Sequence, residues 1–94
     1  MNYKLKSDIE LWESCKQDDI PAYNELFDRY AKMLYRQTIS YVKNEVDAEE
    51  LVMDLLLSIW EKRSHLHIDS GKNVRAYFML EMRSRLINYF QKKS

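Results

Sequence analysis

The chain has 94 residues, of which 46% are hydrophobic and 32% are charged. A chain of this length has room for one hydrophobic core, so we predict a single domain over residues 1–94. One glycine and one proline supply little material for the tight turns of a β-rich protein. The composition therefore favours an all-α fold, a compact bundle of about four helices.

The net charge of zero hides an uneven distribution of charge along the chain. Residues 1–60 contain seven basic and twelve acidic side chains, whereas residues 61–94 contain eight basic and three acidic ones. The two parts therefore carry net charges of −5 and +5. Such an asymmetry is typical of a chain that offers two surfaces to two partners.

Cysteine content and apolar patterning exclude several protein classes. The single cysteine, Cys15, cannot form an internal disulfide, and no Cys/His cluster has the spacing of zinc ligands. The longest nearly apolar run, residues 51–60, is interrupted by Asp54 and is too short to span a bilayer. We therefore expect a soluble, cytoplasmic protein.

Capping residues predict the first two helices. Ser7 and Glu10 fit a capping box that begins a first helix, which ends near Gln17 and buries Leu11, Trp12 and Cys15. Asp18 and Asp19 then precede Pro21, which suits an N-cap followed by proline in the first turn of a long second helix ending near Lys43. We expect its buried stripe to contain Tyr23, Leu26, Phe27, Tyr30, Met33, Leu34, Thr38, Tyr41 and Val42.

The rest of the chain predicts two more helices separated by a loop. Asp47 and Glu50 repeat the cap pattern and begin a third helix that ends near Arg63 or Ser64. Its buried face is expected to contain Leu51, Val52, Leu55, Leu56 and Ile59. Residues 65–72 contain the only glycine and have no hydrophobic period, so we predict a loop there. Asn73 caps a fourth helix that runs to the end of the chain.

The fourth helix divides into an apolar arc and a polar arc. The apolar arc contains Ala76, Phe78, Met79, Met82, Leu86, Ile87 and Phe90, with Arg83 among them. The polar arc contains Tyr77, Glu81, Ser84, Arg85, Asn88 and Lys92. Basic side chains beside aromatic rings attract phosphate and stack on exposed bases, which favours a nucleic-acid partner. An ordinary amphipathic helix with a solvated basic face is the alternative.

The sequence contains little that could support enzyme chemistry. It has no glycine-rich phosphate loop and no Gly-x-Ser-x-Gly motif, and no histidine lies near Cys15 in sequence. His65 and His67 could approach one metal ion, although a solvated pair in a loop is the simpler interpretation. Asp54 is either a buried functional carboxylate or a residue at the edge of the apolar face. We predict no catalytic residue, no cofactor and no metal site.

Three segments in this order resemble region 2 of bacterial sigma factors, most closely the extracytoplasmic-function (ECF) group of the sigma-70 family. Residues 7–35 are similar to that group's opening pattern, with a Leu-Trp pair, an acidic turn, an Ala-aromatic pair and a Leu-aromatic pair. The segment DAEELVMDLLLSIWEKR is similar to the family's acidic and apolar signature ending in Ile-Trp. The segment NVRAYFMLEMRSRLINYFQKK resembles the part that reads promoter DNA.

The resemblance implies a domain that binds core RNA polymerase and recognises and melts the minus-ten promoter element. Contacts with the coiled coil of the polymerase beta-prime subunit would come from Asp47, Glu49, Glu50, Leu51 and Met53. Contacts with promoter DNA would come from His67, Lys72, Arg75, Tyr77, Met79, Arg83, Ser84 and Asn88. The loop at residues 65–72 would capture a flipped base of the non-template strand. By the same resemblance, an anti-sigma factor is a regulatory partner.

Two alternatives stay open beside the sigma-factor interpretation. Met53, Glu81, Ser84 and Gln91 differ from the residues usual at the matching family positions, and Glu81 would repel phosphate. A helical interaction module that has lost DNA binding would also account for the pattern, whereas a metal-dependent enzyme using His65 and His67 is a minor third reading. Members of the group usually have a second, helix-turn-helix domain, so we expect either a truncated sigma factor or a stand-alone remnant.

Overall fold

The computed structural model describes residues 2–68 and 73–93 of the chain. Within these residues it contains four α-helices and no strand, which confirms the prediction of an all-α fold. A short 3-10 turn at Tyr3–Leu5 precedes α1 (Asp8–Cys15), α2 (Ile20–Val42), α3 (Glu45–Glu61) and α4 (Val74–Lys93). The domain measures 45 × 23 × 21 Å. None of the helices in the described residues is both long and apolar enough to cross a membrane.

Three of the four predicted helix starts are confirmed by their capping contacts. Ser7 and Glu10 form both hydrogen bonds of the predicted capping box at α1. Asp19 accepts a hydrogen bond from the Ala22 N–H at the start of α2, with Pro21 in the first turn. Asn73 accepts one from the Ala76 N–H, 3.2 Å away, at the start of α4.

The start of α3 was predicted at the wrong residue. The helix begins at Glu45 because the Asn44 side chain accepts a hydrogen bond from the Asp47 N–H at 3.0 Å. Asp47 therefore lies inside the first turn, where its negative carboxylate interacts favourably with the positive end of the helix dipole. Lys43 ends α2 in the left-handed conformation with φ of 58°, so only Lys43 and Asn44 separate the two helices.

The hydrophobic core contains side chains from all four helices. Leu11, Trp12 and Cys15 of α1 are fully buried, as predicted. They pack with residues of the later elements, of which the largest fully buried are Leu26, Leu34, Leu55, Leu56, Ile68, Phe78 and Met82. Ile68 lies in the segment after α3 that was predicted only as an aperiodic loop, and its burial fixes the chain to the core there.

The predicted burial was wrong at several apolar positions. Tyr41, expected in the buried stripe of α2, is 62% exposed, and Leu51 of α3 is only half-buried. On α4, where the sequence did not decide whether the apolar arc is core or partner surface, the structure buries Phe78, Met82 and Leu86 and exposes Ala76, Met79, Ile87 and Phe90. A helix at the surface of a small domain packs against the core along only about 100° of its circumference. The remaining apolar side chains of α4 therefore face away from it.

Candidate polymerase and nucleic-acid surfaces

The outward side of α3 is acidic, with apolar side chains among the carboxylates. The helix contains six acidic residues and no basic one. We define the α3 outer face by its exposed side chains Val46, Glu49, Glu50, Met53, Asp54 and Leu57. Val46, Met53 and Leu57 are 63%, 44% and 51% exposed, so this face offers apolar area as well as negative charge.

A groove continues the α3 outer face towards α2. Its volume is about 490 Å³, and it is lined by Phe27, Ala31, Lys32, Tyr35, Glu49, Val52 and Met53. Burial raises the pKa of Tyr35, as do the nearby carboxylates of Glu45 and Glu49. The groove can therefore take up an apolar side chain, and acidic and hydroxyl groups at its rim can pair with a basic partner.

The structure separates the five residues predicted to bind polymerase into two groups. Glu49, Glu50 and Met53 lie exposed on the α3 outer face. Asp47 and Leu51 are half-buried on a different flank of the helix. There the Asp47 carboxylate accepts a hydrogen bond from the Tyr89 hydroxyl of α4 at 2.7 Å, and this bond raises the pKa of Tyr89. Asp47 thus has a structural contact between α3 and α4.

The outward side of α4 carries basic side chains together with several exposed apolar ones. The helix contains five basic residues and one acidic residue. We define the α4 outer face by its exposed side chains Ala76, Met79, Leu80, Arg83, Ser84, Ile87, Asn88 and Phe90. Four residues predicted to contact DNA, Met79, Arg83, Ser84 and Asn88, lie on this face, and Arg75 is exposed at the start of the helix.

Tyr77 and Glu81 are less accessible than the predicted polar arc implied. Both are half-buried, and Tyr77 packs edge-on against Phe78 with the ring centroids 6.4 Å apart. Burial raises the pKa of Tyr77, and the charge of Glu81 raises it further. Part of the Tyr77 ring therefore packs against the core, so a base could stack only on the exposed side of the ring.

The segment before α4 contains the remaining DNA-binding predictions. His67 is exposed and directly precedes the buried Ile68. Lys72 and the second half of the predicted base-capturing segment, residues 69–72, lie outside the described residues. Ile68 and Val74 are both buried in the core cluster, so each described end of this segment is anchored to the core. Arg75 and Tyr77 lie in the first turn of α4.

The groups considered for enzyme chemistry are not assembled into a site. Cys15 is fully buried, and this burial raises the pKa of its thiol to about 12, so its reactive thiolate is scarce at neutral pH. Asp54 is exposed, at the edge of the apolar face rather than within it. No group of three or more His, Cys, Asp or Glu side chains in residues 2–68 and 73–93 is arranged to hold a metal ion.

Sequence reasoning missed several side chains of these surfaces. Val46 and Leu57 were not assigned to the α3 outer face, and Leu80 was not assigned to either arc of α4. Phe27, which was expected in the core, packs against the core half-buried and also lines the groove beside α3. Hydropathy alone could not find these residues, because the same residue types also form the core. Their positions on the outward side become evident only once the helices are packed.

The comparisons with known proteins identify one family. Residues 26–94 match Sigma-70 region 2. No curated protein and no solved structure matches the chain. The matched segment includes most of α2 and all of α3 and α4, and thus both outer faces and the groove. The chain belongs to the sigma-70 region 2 family, whose members are non-enzymatic domains of transcription initiation factors.

Proposed function

We propose that residues 1–94 form region 2 of an ECF sigma factor, which binds core RNA polymerase and recognises and melts the minus-ten promoter element. The main support is the family match over residues 26–94, within which two helices present faces of opposite charge. An acidic α3 suits a basic protein partner, and a basic α4 suits the phosphate backbone of DNA. Each face therefore has the chemistry that one of the two partners requires.

The polymerase contact is proposed on the α3 outer face. Glu49, Glu50 and Met53 would contact the beta-prime coiled coil directly, and Asp47 and Leu51 would hold this part of α3 against its neighbours. Exposed apolar residues surrounded by carboxylates are suited to a helical partner, since the apolar contact supplies affinity and the charges orient the partner. The groove beside Met53 would receive an apolar side chain of the coiled coil.

The promoter contact is proposed on α4 and the segment before it. Its residues would be His67, Lys72, Arg75, Tyr77, Met79, Arg83, Ser84 and Asn88. Extruding a base from the duplex costs a few kcal/mol of stacking and pairing, which a protein offsets with a pocket and stacking partners. Positive charge on α4 would hold the backbone of the separated strand, and the open side of Tyr77 would stack on a base.

The proposal extends to the cellular setting of the domain. A domain that acts on RNA polymerase works in the cytoplasm, and regulation by an anti-sigma factor is part of the proposal. We further propose that it acts in a longer sigma factor that supplies a second DNA-binding domain. The supporting observation is again the match to region 2, which is one region of such factors.

One observation favours a second candidate function. Leu80 and Ile87 expose aliphatic area on the same face of α4 that is proposed to contact DNA. Aliphatic side chains neither pair with phosphate nor stack as rings do, so they suit a protein partner better. The second candidate is therefore a protein-interaction module with the sigma fold that has lost DNA binding.

Binding to a fluorescent single-stranded minus-ten oligonucleotide, with and without core polymerase, tests the DNA part of the proposal. We expect the complex with polymerase to bind the non-template sequence, and Arg83→Ala to weaken this binding about tenfold, because a charged contact is lost. Arg36→Ala, which removes an exposed arginine of α2, is the matched control. If polymerase is bound but the oligonucleotide is not, the interaction-module candidate is correct.

Direct binding to core polymerase tests the protein part of the proposal. Glu50→Lys should weaken this binding about tenfold or more, because it places a like charge against a basic partner. Glu13→Lys reverses an exposed glutamate on α1 and serves as the control. Failure of the wild-type chain to bind the core polymerase of its own organism would refute the assignment to a working sigma factor.

A further inference from the structure

A groove lies between α2 and α4, at the edge of the α4 outer face. It is lined by Gln37, Tyr41, Arg83, Leu86, Ile87, Phe90 and Gln91. Its volume is about 670 Å³, within the range of about 300–1,000 Å³ that is usual for small-molecule sites. The lining residues of α4 extend over about two helical turns, which is roughly 12 Å along the helix axis. The groove therefore has the size of an organic molecule with a few rings.

The two helices run in the same direction along this groove. Tyr30 of α2 packs edge-on against Phe78 of α4, with the ring centroids 5.4 Å apart. The lining residues of both helices follow these two rings in the chain. Gln37 and Arg83 are the first lining residue of α2 and of α4 after that contact. The amide and the guanidinium therefore lie towards the same end of the groove.

The opposite end of the groove is aromatic. Tyr41 and Phe90 lie further along their helices and are 62% and 44% exposed. Leu86 and Ile87 lie between Arg83 and Phe90 in the chain and contribute aliphatic wall. Aromatic rings gain from edge-on or offset contact with another ring, beyond the gain from the area that they bury. This end of the groove therefore suits the ring system of a ligand.

Two polar groups at the first end indicate what else the ligand must supply. Of the lining residues only Arg83 is charged, and its guanidinium has no carboxylate partner in residues 2–68 and 73–93. The Gln37 side-chain oxygen is buried and accepts no hydrogen bond from the part of the chain that the structure describes. A buried acceptor without a donor is unfavourable, and a guanidinium binds an anion through strong charge-assisted hydrogen bonds. The amide can turn about its last bond towards the groove, so a ligand with an anionic group and an N–H or O–H donor would satisfy both residues.

We propose that the groove between α2 and α4 binds an aromatic organic anion that also carries a hydrogen-bond donor, such as an aromatic carboxylate. The anion would pair with Arg83 and the donor would bond to the Gln37 oxygen, while the rings pack beside Tyr41 and Phe90. A purely apolar ligand would leave both polar groups unsatisfied. A nucleic-acid strand is a poorer occupant, because one cation in the groove cannot neutralise several phosphates. The binding needs neither polymerase nor promoter DNA, so it can succeed or fail apart from the proposed function.

The probe is anilinonaphthalene sulfonate, which has aromatic rings, an N–H donor and a negative charge, and which fluoresces more strongly in apolar surroundings. The matched neutral probe is phenylnaphthylamine, which has the same rings and N–H but no sulfonate. We expect a fluorescence titration of the full, folded chain with the anionic probe to saturate at one molecule per chain. No binding of the anionic probe, or binding to several equivalent sites, would overturn the proposal.

Variants of the protein test each contact separately. Arg83→Gln should weaken binding of the anionic probe about tenfold and leave the neutral probe unchanged, because only the charge pair is lost. Tyr41→Ser should weaken both probes about tenfold, and Gln37→Met, which removes the acceptor, should weaken both to a smaller extent. Arg36→Gln removes an exposed arginine of α2 that does not line the groove, and it should change neither affinity. Equal effects of Arg83→Gln and Arg36→Gln on the anionic probe would refute the proposal, provided that circular dichroism shows both variants to be folded.

The position of the bound probe can be read from NMR spectra of the labelled chain. The largest amide shifts caused by the anionic probe should occur at residues 37–41 of α2 and 83–91 of α4. Largest shifts in the groove between α2 and α3 instead would show that the probe binds elsewhere and would overturn the proposal. A single-stranded oligonucleotide that shifts the same amides, and whose binding Tyr41→Ser weakens as strongly, would assign the groove to nucleic acid rather than to a small anion.

Discussion

Arg29 joins the amino-terminal segment of the chain to α2. Its guanidinium donates to the Asp8 carboxylate at 2.8 Å, to the Glu25 carboxylate at 2.9 Å, and to the backbone carbonyls of Tyr3 and Lys4. A planar group with several donors can satisfy these acceptors together, which a lysine could not do. The beginning of the chain is thus held by hydrogen bonds rather than by apolar packing alone.

Cys15 makes the stability of the domain sensitive to alkaline pH. Burial raises the pKa of its thiol from its usual value of 9 to about 12 in the folded protein. Between these pH values the unfolded chain loses a proton that the folded protein keeps, so stability must fall as pH rises. We expect urea unfolding to show a decline of up to about 1.4 kcal/mol per pH unit from this group.

The Cys15→Ala variant provides the control for this prediction. It should be less stable at neutral pH but should show a shallower decline above about pH 9, because one titrating group has been removed. Part of the decline will remain, since burial also raises the pKa of Tyr23. The same pH slope in the variant and the wild type would contradict the assignment to Cys15.

A polar contact joins the beginning of α3 to the end of α4. The Tyr89 hydroxyl donates to the Asp47 carboxylate, and the Tyr89 ring also packs edge-on against Phe90 with the centroids 5.2 Å apart. This contact joins the first turn of the acidic helix to the last turns of the basic helix. It therefore holds the first turn of α3 against the last turns of α4.

Tyr89→Phe should lower the free energy of unfolding, because it removes the hydrogen bond to the Asp47 carboxylate and preserves the ring. Amide exchange measured by mass spectrometry should increase in the last turns of α4 more than in α1. Tyr41→Phe removes a hydroxyl from an exposed ring and should change neither quantity. Equal exchange in the Tyr89 variant and the wild type would show that the contact does not hold the helix end.

Capping chemistry made most of the helix starts predictable from sequence, because it depends on residues within three positions of each other. Ser7, Asp19 and Asn73 are examples. At α3 the rule failed because Asn44 and Asp47 are both capping residues at a spacing of three, and the structure uses the first as the cap and the second inside the turn. Local chemistry alone does not decide between two such neighbours.

The buried half of the α4 apolar arc was not predictable from sequence. Ile87 and Leu86 are adjacent and similar in hydropathy, yet Leu86 is buried and Ile87 is 48% exposed. The difference depends on the angle at which α4 crosses the other helices, which is a property of the packed domain. The crossing angle also explains why the exposed face of α4 differs from the predicted polar arc. That arc included Tyr77 and Glu81, which are half-buried, and left out Leu80, which is exposed.

Across the whole domain, the two charged faces lie on different helices and should act independently. Electrostatic contacts between exposed groups weaken with ionic strength because salt screens them over about 8–10 Å. Charge on α3 should therefore govern binding to polymerase, and charge on α4 should govern binding to DNA. The zero net charge of the chain would then have no bearing on either partner.

Paired charge reversals test this independence. Glu50→Lys should weaken polymerase binding and leave binding of the minus-ten oligonucleotide to a saturated polymerase complex unchanged. Arg83→Glu should have the opposite effect, and it should also reduce the salt dependence of oligonucleotide binding by about one unit of slope. A variant that alters both affinities equally would show that the faces are coupled, and titration from about 50 to 200 mM salt measures the slopes.

The two-residue connection at Lys43 and Asn44 limits how the length of this chain can change. Each residue inserted at the start of α3 would turn the helix by about 100° relative to its cap, moving the outer face towards the core. The connection between Lys62 and Asn73 is far longer, and there an insertion can be absorbed before Asn73 begins the next helix. Related chains that retain both faces should therefore vary in length after α3 and hardly at all before it.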